Sequence, residues 1–137
     1  MDMTDKHVLI IGGGNVAERR VRILSDFGAK ITLISPKATE YIEQTVPRFL
    51  KRKYQSGDIA EIAPFLVITA TDDRQANHDA MMEARSLDII ISVADSREEC
   101  TCYFPAIVEN ESFVAGLVSK NGDHAGVKRV AEIIRKY

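Results

Sequence analysis

The sequence is poor in cysteine, has no tryptophan and carries no strong excess of either charge. Its 137 residues include two cysteines, Cys100 and Cys102, and three histidines. Two cysteines separated by one residue do not specify a disulfide framework, and the histidines show no ligand spacing, so we expect no metal site. A net charge of −2 argues against nucleic-acid binding that rests on general positive charge.

Long hydrophobic runs are also missing. No apolar stretch reaches the length of about 20 residues that a membrane-spanning helix needs. The first six residues are polar and lack the apolar region of a signal peptide. We therefore expect no membrane partner and a cytoplasmic location. The 45% hydrophobic and 28% charged content is typical of a globular protein, and the length predicts a single domain over residues 1–137.

Buried strands alternate with amphipathic helices over the first two thirds of the chain. Strands are predicted at 7–11, 30–34, 48–53, 66–70 and 89–93, and helices at 15–27, from 36 to about 42, and at 73–86. This alternation predicts an α/β fold with a doubly wound parallel sheet. The alternation then stops: runs at 103–108 and 112–118 predict a β-hairpin, and the apolar positions 127, 130, 131 and 134 predict a terminal helix.

A glycine-rich turn follows the first predicted strand. Residues 12–17 read Gly-Gly-Gly-Asn-Val-Ala and fit the pattern G-x-G-x-x-A between a strand and a helix. In this pattern Gly12 permits the tight turn, Gly14 lets the backbone approach a diphosphate, and Ala17 packs the helix on the sheet. The amides around Asn15 and Val16 would then bind the diphosphate at the positive end of the helix dipole. The alternative is that the glycines only give the turn its backbone freedom.

The end of the second strand lacks the acidic residue that often binds the adenosine ribose. Ser35, Pro36 and Lys37 stand there instead, and we include them among the cofactor-binding candidates. Lys37 could favour the 2′-phosphate of NADP, or could be a solvated lysine. The choice between NAD and NADP therefore stays open.

Small and polar residues follow the fourth strand, which should lie beside the first. Ala70 leaves room for a cofactor, and Thr71 and Asp72 could contact its ribose or diphosphate. Asp73 is equally well explained as the N-cap of the next helix. Asn77 could point into the crevice or into solvent.

Three stretches, taken together, resemble the N-terminal domain of siroheme synthases, the precorrin-2 dehydrogenase family. They are residues 8–19, the Ala-Thr-Asp-Asp at 70–73, and Val-Ala-Asp at 93–95 followed by Phe-Pro-Ala at 104–106. The resemblance is collinear from about residue 6 to residue 137. It implies a Rossmann-type fold and NAD-dependent oxidation of precorrin-2 to sirohydrochlorin in siroheme biosynthesis. Some members of the family also insert ferrous iron into that product.

The resemblance places the family's catalytic aspartate at Asp95. A carboxylate near the nicotinamide could act as a general base or orient the macrocycle. The structural alternative is that Asp95 caps the turn that contains Ser96.

The tetrapyrrole substrate carries several carboxylates, so its site needs positive charge and free amides. The substrate-binding candidates are Ser119, Lys120, Asn121, Gly122 and Lys128. This segment departs from the family, which commonly has a serine- and glycine-rich stretch ending in Ser-Pro. The family also continues into a helical dimerisation segment, which has no counterpart within these 137 residues, and a homodimer is left open.

Two other hypotheses compete with that of an enzyme: a nucleotide-sensing regulatory domain and a cofactor-binding scaffold. The chain also resembles the nucleotide-sensing regulatory domains of potassium channels and transporters, which bind a nucleotide and catalyse nothing. Ser35 in place of an acidic residue and the hairpin after the fifth strand both argue against that hypothesis. A third hypothesis is a cofactor-binding scaffold.

Overall fold

The chain divides into two compact units. The computed structural model describes all 137 residues, with Met1–Cys102 in the first unit and Tyr103–Tyr137 in the second. The first unit holds a five-stranded sheet, and the second holds a two-stranded sheet and one helix. None of the helices is both long enough and apolar enough to cross a membrane. The single domain expected from the length stays a prediction.

The first unit is an α/β structure whose strands are all parallel. Its elements are β1 His7–Ile11, α1 Asn15–Asp26, β2 Lys30–Ile34, α2 Glu40–Thr45, β3 Arg48–Leu50, α3 Asp58–Ile62, β4 Leu66–Thr69, α4 Arg74–Ser86 and β5 Ile90–Val93. The strand order is β3-β2-β1-β4-β5, and each neighbouring pair is parallel. The predicted doubly wound α/β sheet is confirmed.

The core forms because β1, β2 and β4 are apolar on both faces, as strands of a parallel sheet covered by helices must be. Leu9, Ile10 and Leu33 are fully buried in these strands. Helix α4 contributes Ala80 and Met81 to the main core cluster. Helix α1 buries three apolar residues and ends at Asp26, with Phe27 as its C-cap; Gly28 follows with a φ of +86°, the left-handed conformation common just after a helix C-cap.

In the first unit, the sequence prediction departs from the structure most clearly at α2, β3 and α3. Helix α2 begins at Glu40 and not near Pro36, because the Thr39 side chain caps it by accepting a hydrogen bond from the amide of Ile42. Strand β3 stops at Leu50, three residues before the predicted end. Helix α3 was missed, since five residues are too few for a helical period to show in the sequence.

The second unit contains the predicted hairpin and terminal helix. Strands β6 Ala106–Glu109 and β7 Val114–Leu117 pair antiparallel, and the Asn110 side chain closes the turn by accepting hydrogen bonds from two amides. Helix α5 spans His124–Arg135. Ala131 is buried, but Val130 is 46% exposed, so only part of the predicted apolar face is covered.

Candidate functional site

A cleft of about 770 Å³ lies at the carboxyl ends of β1, β2 and β4. Because β2 and β4 lie on opposite sides of β1, this is the point where the strand order reverses and where ligands bind in open α/β sheets. The wall consists of Ile11, Ile34, the glycine turn 12–14, the loop 35–39, Lys53, Tyr54, Ser56, residues 70–73, Gln75, Ala76 and Asp79. Eight of the eleven predicted cofactor-binding residues therefore lie in one cleft.

The three glycines of the turn have three different surroundings. A Cβ on Gly12, whose φ is +122°, would lie 2.2 Å from the carbonyl oxygen of Ala70. A Cβ on Gly13 would lie 2.1 Å from the carbonyl oxygen of Lys37, whereas a Cβ on Gly14 would have no atom within 4 Å. Packing within the protein thus requires Gly12 and Gly13. Gly14 borders open space at the cleft, which fits its predicted role beside a diphosphate; Gly13 was missed as a packing residue.

The remaining three candidates form the start of α1 next to Gly14. Gly14 is the N-cap and no side chain caps the helix, so no side chain occupies the first amides. Asn15 is exposed, Val16 is half-buried and Ala17 is fully buried. An uncapped helix start that borders the cleft can bind an anionic group through its amides and its dipole.

The β2 end of the cleft offers positive charge and no carboxylate. Ser35 is buried, and its hydroxyl donates a 2.6 Å hydrogen bond to the carbonyl oxygen of Lys37, which fixes this loop. Pro36 and Lys37 are exposed in the wall, and Lys53 from beyond β3 joins them. The structure therefore holds no acidic side chain at the position that often binds a ribose 2′-hydroxyl.

The β4 end of the cleft is held by a buried asparagine. Asn77 is fully buried, and its side-chain oxygen accepts hydrogen bonds from the Thr71 amide at 3.3 Å and the Thr71 hydroxyl at 2.7 Å. Its amide nitrogen donates to the Thr71 carbonyl at 3.1 Å. The solvated alternative for Asn77 is therefore wrong, and the side chain is directed at Thr71, a residue of the cleft wall. Asp73 is the N-cap of α4 and also lines the cleft, while Asp72 is exposed in the wall.

Asp95 lies just after β5, outside the cleft wall. Its side chain is 38% exposed and accepts a hydrogen bond at 2.6 Å from Arg74, the first residue of α4. Arg74 also contacts Glu99, to which His78 is joined at 3.1 Å. Burial alone would raise the pKa of Glu99, but hydrogen bonds from His78 and Arg74 outweigh burial and hold that pKa below its usual value.

The alternative role of Asp95 as a turn cap finds no support in the hydrogen bonds. The amide of Ser96 donates to the backbone carbonyl of Val93, and the 3₁₀ turn at Arg97–Glu99 has no side-chain cap. The Asp95 carboxylate is instead joined to Arg74, at the start of the helix that follows the cleft residues Asp72 and Asp73.

The substrate-binding candidates fall in the second unit, in and after the loop before α5. The Ser119 hydroxyl accepts hydrogen bonds from the amides of Asn121 and Asp123, and the Asp123 carboxylate caps α5 through the amide of Gly126. Part of the amide set expected to bind a carboxylate is thus used within the loop. Gly122 adopts a φ of +76°, and Lys120 and Lys128 are exposed on either side of the helix start.

The two cysteines are both half-buried and unpaired. The Cys100 sulfur lies 3.1 Å from the amide of Val93 and 3.2 Å from its carbonyl oxygen, and burial raises the pKa of Cys102. No group of three or more His, Cys, Asp or Glu side chains is placed to hold a metal ion.

The fold and the glycine-lined cleft define a dinucleotide-binding protein of the Rossmann type. The sequence model of the family described as putative NAD(P)-binding matches residues 1–106, and the chain belongs to that family. NAD(P) is accordingly the cofactor class of the chain.

Relatives of this chain are siroheme proteins. The chain is 46% identical to the probable multifunctional siroheme biosynthesis protein HemA of Ruminiclostridium josui, over 99% of this chain and 27% of the relative. It is 37% identical to a siroheme synthase of Pseudomonas paraeruginosa, over 84% of this chain and 25% of the relative. The chain thus spans about a quarter of the length of these relatives. They confirm the resemblance to the siroheme synthase N-terminal domain.

A solved structure shares the fold. SirC, a precorrin-2 dehydrogenase, superposes with a TM-score of 0.85 at 22% identity, over 99% of this chain and 68% of SirC. Because the identity is only 22%, the match supports the fold alone, which includes a hairpin and a terminal helix. None of these comparisons favours the nucleotide-sensing alternative, and none bears on a homodimer, which stays a prediction.

Proposed function

We propose that this chain is an NAD-dependent dehydrogenase that oxidises precorrin-2 to sirohydrochlorin, a step of siroheme biosynthesis. The observation that carries the proposal is the cleft with its open side at Gly14, in a chain whose relatives are siroheme synthases. We also propose a cytoplasmic location, as the sequence predicts.

The residues of the cleft fit a dinucleotide. The start of α1 with Gly12 and Gly14 would hold the diphosphate, and Ser35, Pro36 and Lys37 would border the adenosine ribose. Ala70, Thr71 and Asp72 would border the other half of the cofactor. When bound, NAD supplies the hydride acceptor for the oxidation.

Asp95 is the residue that we propose for the proton. Dehydrogenation removes a hydride and a proton from the substrate, and a carboxylate near the reacting carbon accepts the proton or orients the macrocycle. Asp95 follows β5, at the same end of the sheet as the cleft, and its 38% exposed side chain is accessible to a ligand. Ser119, Lys120, Asn121, Gly122 and Lys128 are proposed to bind the substrate carboxylates.

The test is anaerobic incubation of the purified chain with precorrin-2 and NAD, with NADH formation followed by absorbance. Asp95→Ala should reduce NADH formation by about 10²-fold or more, as the loss of a general base does, while NAD binding is retained. Glu98→Ala is the matched control, because Glu98 is an exposed acid on the same segment and should tolerate the change.

Full activity of Asp95→Ala would return that residue to a structural role. Binding of NAD without any turnover of precorrin-2 would instead support the nucleotide-sensing alternative, and the absence of NAD binding would remove the whole proposal.

A further inference from the structure

Arg74 joins the two carboxylates that follow β5. Its Nη1 donates to Oδ1 of Asp95 at 2.6 Å, and its Nη2 donates to Glu99. The Arg74 backbone is fixed because it begins α4 directly after the N-cap Asp73, which accepts hydrogen bonds from two amides of the helix. The guanidinium therefore connects the helix start that borders the cleft to the turn that carries Asp95.

We propose that Arg74 is a positioning residue for Asp95, an inference that rests on the function proposed above. Asp95 follows the strand in an exposed turn, where a carboxylate without a fixed partner would sample several rotamers. The planar fork of Arg74 contacts Asp95 through one nitrogen and Glu99 through the other, so the orientation of the guanidinium is set by two anchors. Held in this way, the Asp95 carboxylate keeps one orientation.

An arginine beside a polycarboxylate substrate can also bind the substrate directly. The charges around Arg74 argue against that role. A substrate-binding arginine needs an uncompensated positive charge. Arg74 already contacts two carboxylates, and Asp72 and Asp73 precede it in the chain. A third carboxylate from the substrate would meet net negative charge at this place.

Glu99 is itself held from α4, so the second anchor of Arg74 is not a free surface acid. His78 lies 3.1 Å from its carboxylate, one turn after Arg74. Arg85, further along the same helix, donates to the backbone carbonyls of Glu98 and Glu99 at 3.4 and 3.2 Å. Helix α4 thus contacts the turn with two arginines, and only Arg74 contacts Asp95 in these hydrogen bonds.

Arg74→Gln in the full chain is the first test. We expect kcat for NADH formation to fall about 10- to 100-fold, the range expected when a catalytic group is misplaced, with little change in the KM for precorrin-2 or in NAD binding. Arg74→Lys should restore part of kcat, since it keeps the charge but loses the fork. Arg85→Gln is the matched control, because it removes the other α4 guanidinium that contacts the Arg97–Glu99 turn but does not contact Asp95. We expect kcat to stay unchanged in this variant.

The double variant Arg74→Gln with Asp95→Ala separates this inference from the proposed function. If Arg74 acts through Asp95, the double variant loses no more activity than Asp95→Ala alone. An inactive Asp95→Ala with a fully active Arg74→Gln would overturn the positioning role and leave the proposed function standing. Equal losses in Arg74→Gln and Arg85→Gln would also overturn it, because both would then act by stabilising the turn. A wild-type chain without turnover would overturn both proposals.

Discussion

Gly13 and Gly14 are neighbours in the chain, but a methyl group on each would meet different surroundings. Gly13→Ala would place its Cβ 2.1 Å from a backbone oxygen of the β2–α2 loop, so the loop must shift. We expect this variant to lose about 1–3 kcal/mol of unfolding free energy, the usual cost of overpacking. Gly14→Ala meets open space and has an ordinary φ of −84°, so it should change stability far less. Thermal unfolding without ligand measures both effects.

A second substitution at Gly14 tests the binding of NAD. NAD at about 100 times its Kd should stabilise the wild-type chain by about 2.7 kcal/mol. Gly14→Asp should abolish this stabilisation, because its carboxylate would occupy the space beside the helix start and repel the diphosphate. A Gly14→Asp variant that keeps the full NAD-induced shift in melting temperature would show that the dinucleotide binds elsewhere.

Asn77 shows what a sequence pattern leaves undetermined at a single position. The apolar residues of α4 predicted which face of the helix is buried, but a polar residue on that face can be explained either as solvated or as hydrogen-bonded within the protein. Asn77 is buried because three hydrogen bonds to Thr71 satisfy its amide, and the Thr71 partners come from a loop six residues earlier. Such a bond depends on how the chain turns after β4, which periodicity does not encode.

At the scale of elements, the sequence predicted the strands and long helices well and the short elements poorly. β1 is a continuous apolar run before a glycine turn and α4 is a 13-residue amphipathic helix, so their predicted bounds differ from the structure by at most one residue. Helix α3 has five residues, and Arg52 binds both oxygens of its first residue, Asp58, at 2.8 Å. Five residues are too few for a helical period to show, and local pairing of this kind carries no periodic signal, so α3 was not predicted.

The ion pair between Arg52 and Asp58, the first residue of α3, predicts a pH dependence of stability. Hydrogen bonds from Arg52 hold the pKa of the buried Asp58 below its usual value of 3.8. Because the pKa of Asp58 is lower in the folded state than in the unfolded state, the ion pair stabilises the fold fully at pH values above the unfolded-state pKa. This stabilisation is lost as the pH falls from the unfolded-state pKa through the folded-state pKa. Asp58→Asn should lower the melting temperature at pH 7. It should also reduce the further fall in melting temperature that acidification below about pH 4 causes in the wild-type chain. Thermal unfolding at a series of pH values measures both effects.

A control for this prediction is available in the same chain. Asp5 pairs with Lys30 at 3.0 Å on the surface, where both side chains are strongly exposed, so Asp5→Asn should change neither the stability nor its pH dependence appreciably. Equal effects of the two substitutions would mean that the acid dependence does not come from α3.

At the scale of the whole molecule, the residues proposed for the cofactor and those proposed for the substrate belong to different units. All eleven cofactor candidates and Asp95 lie in Met1–Cys102, whereas the five substrate candidates lie in Tyr103–Tyr137. The first unit contains the complete parallel sheet and all residues that line the cleft. NAD binding should therefore be a property of the first unit alone.

A fragment of residues 1–102 tests this division. We expect it to fold and to bind NAD with a Kd close to that of the full chain, because every residue of the cleft wall is present, but to form no NADH from precorrin-2. The full chain carrying both Lys120→Ala and Lys128→Ala serves as the comparison. Its KM for precorrin-2 should rise, because the loss of two positive charges weakens binding of a polycarboxylate, and its NAD binding should be unchanged. Calorimetric titration with NAD and the anaerobic assay measure the two properties. A folded fragment that fails to bind NAD would show that the second unit contributes to the cofactor site, and turnover by the fragment would remove the role proposed for the lysines.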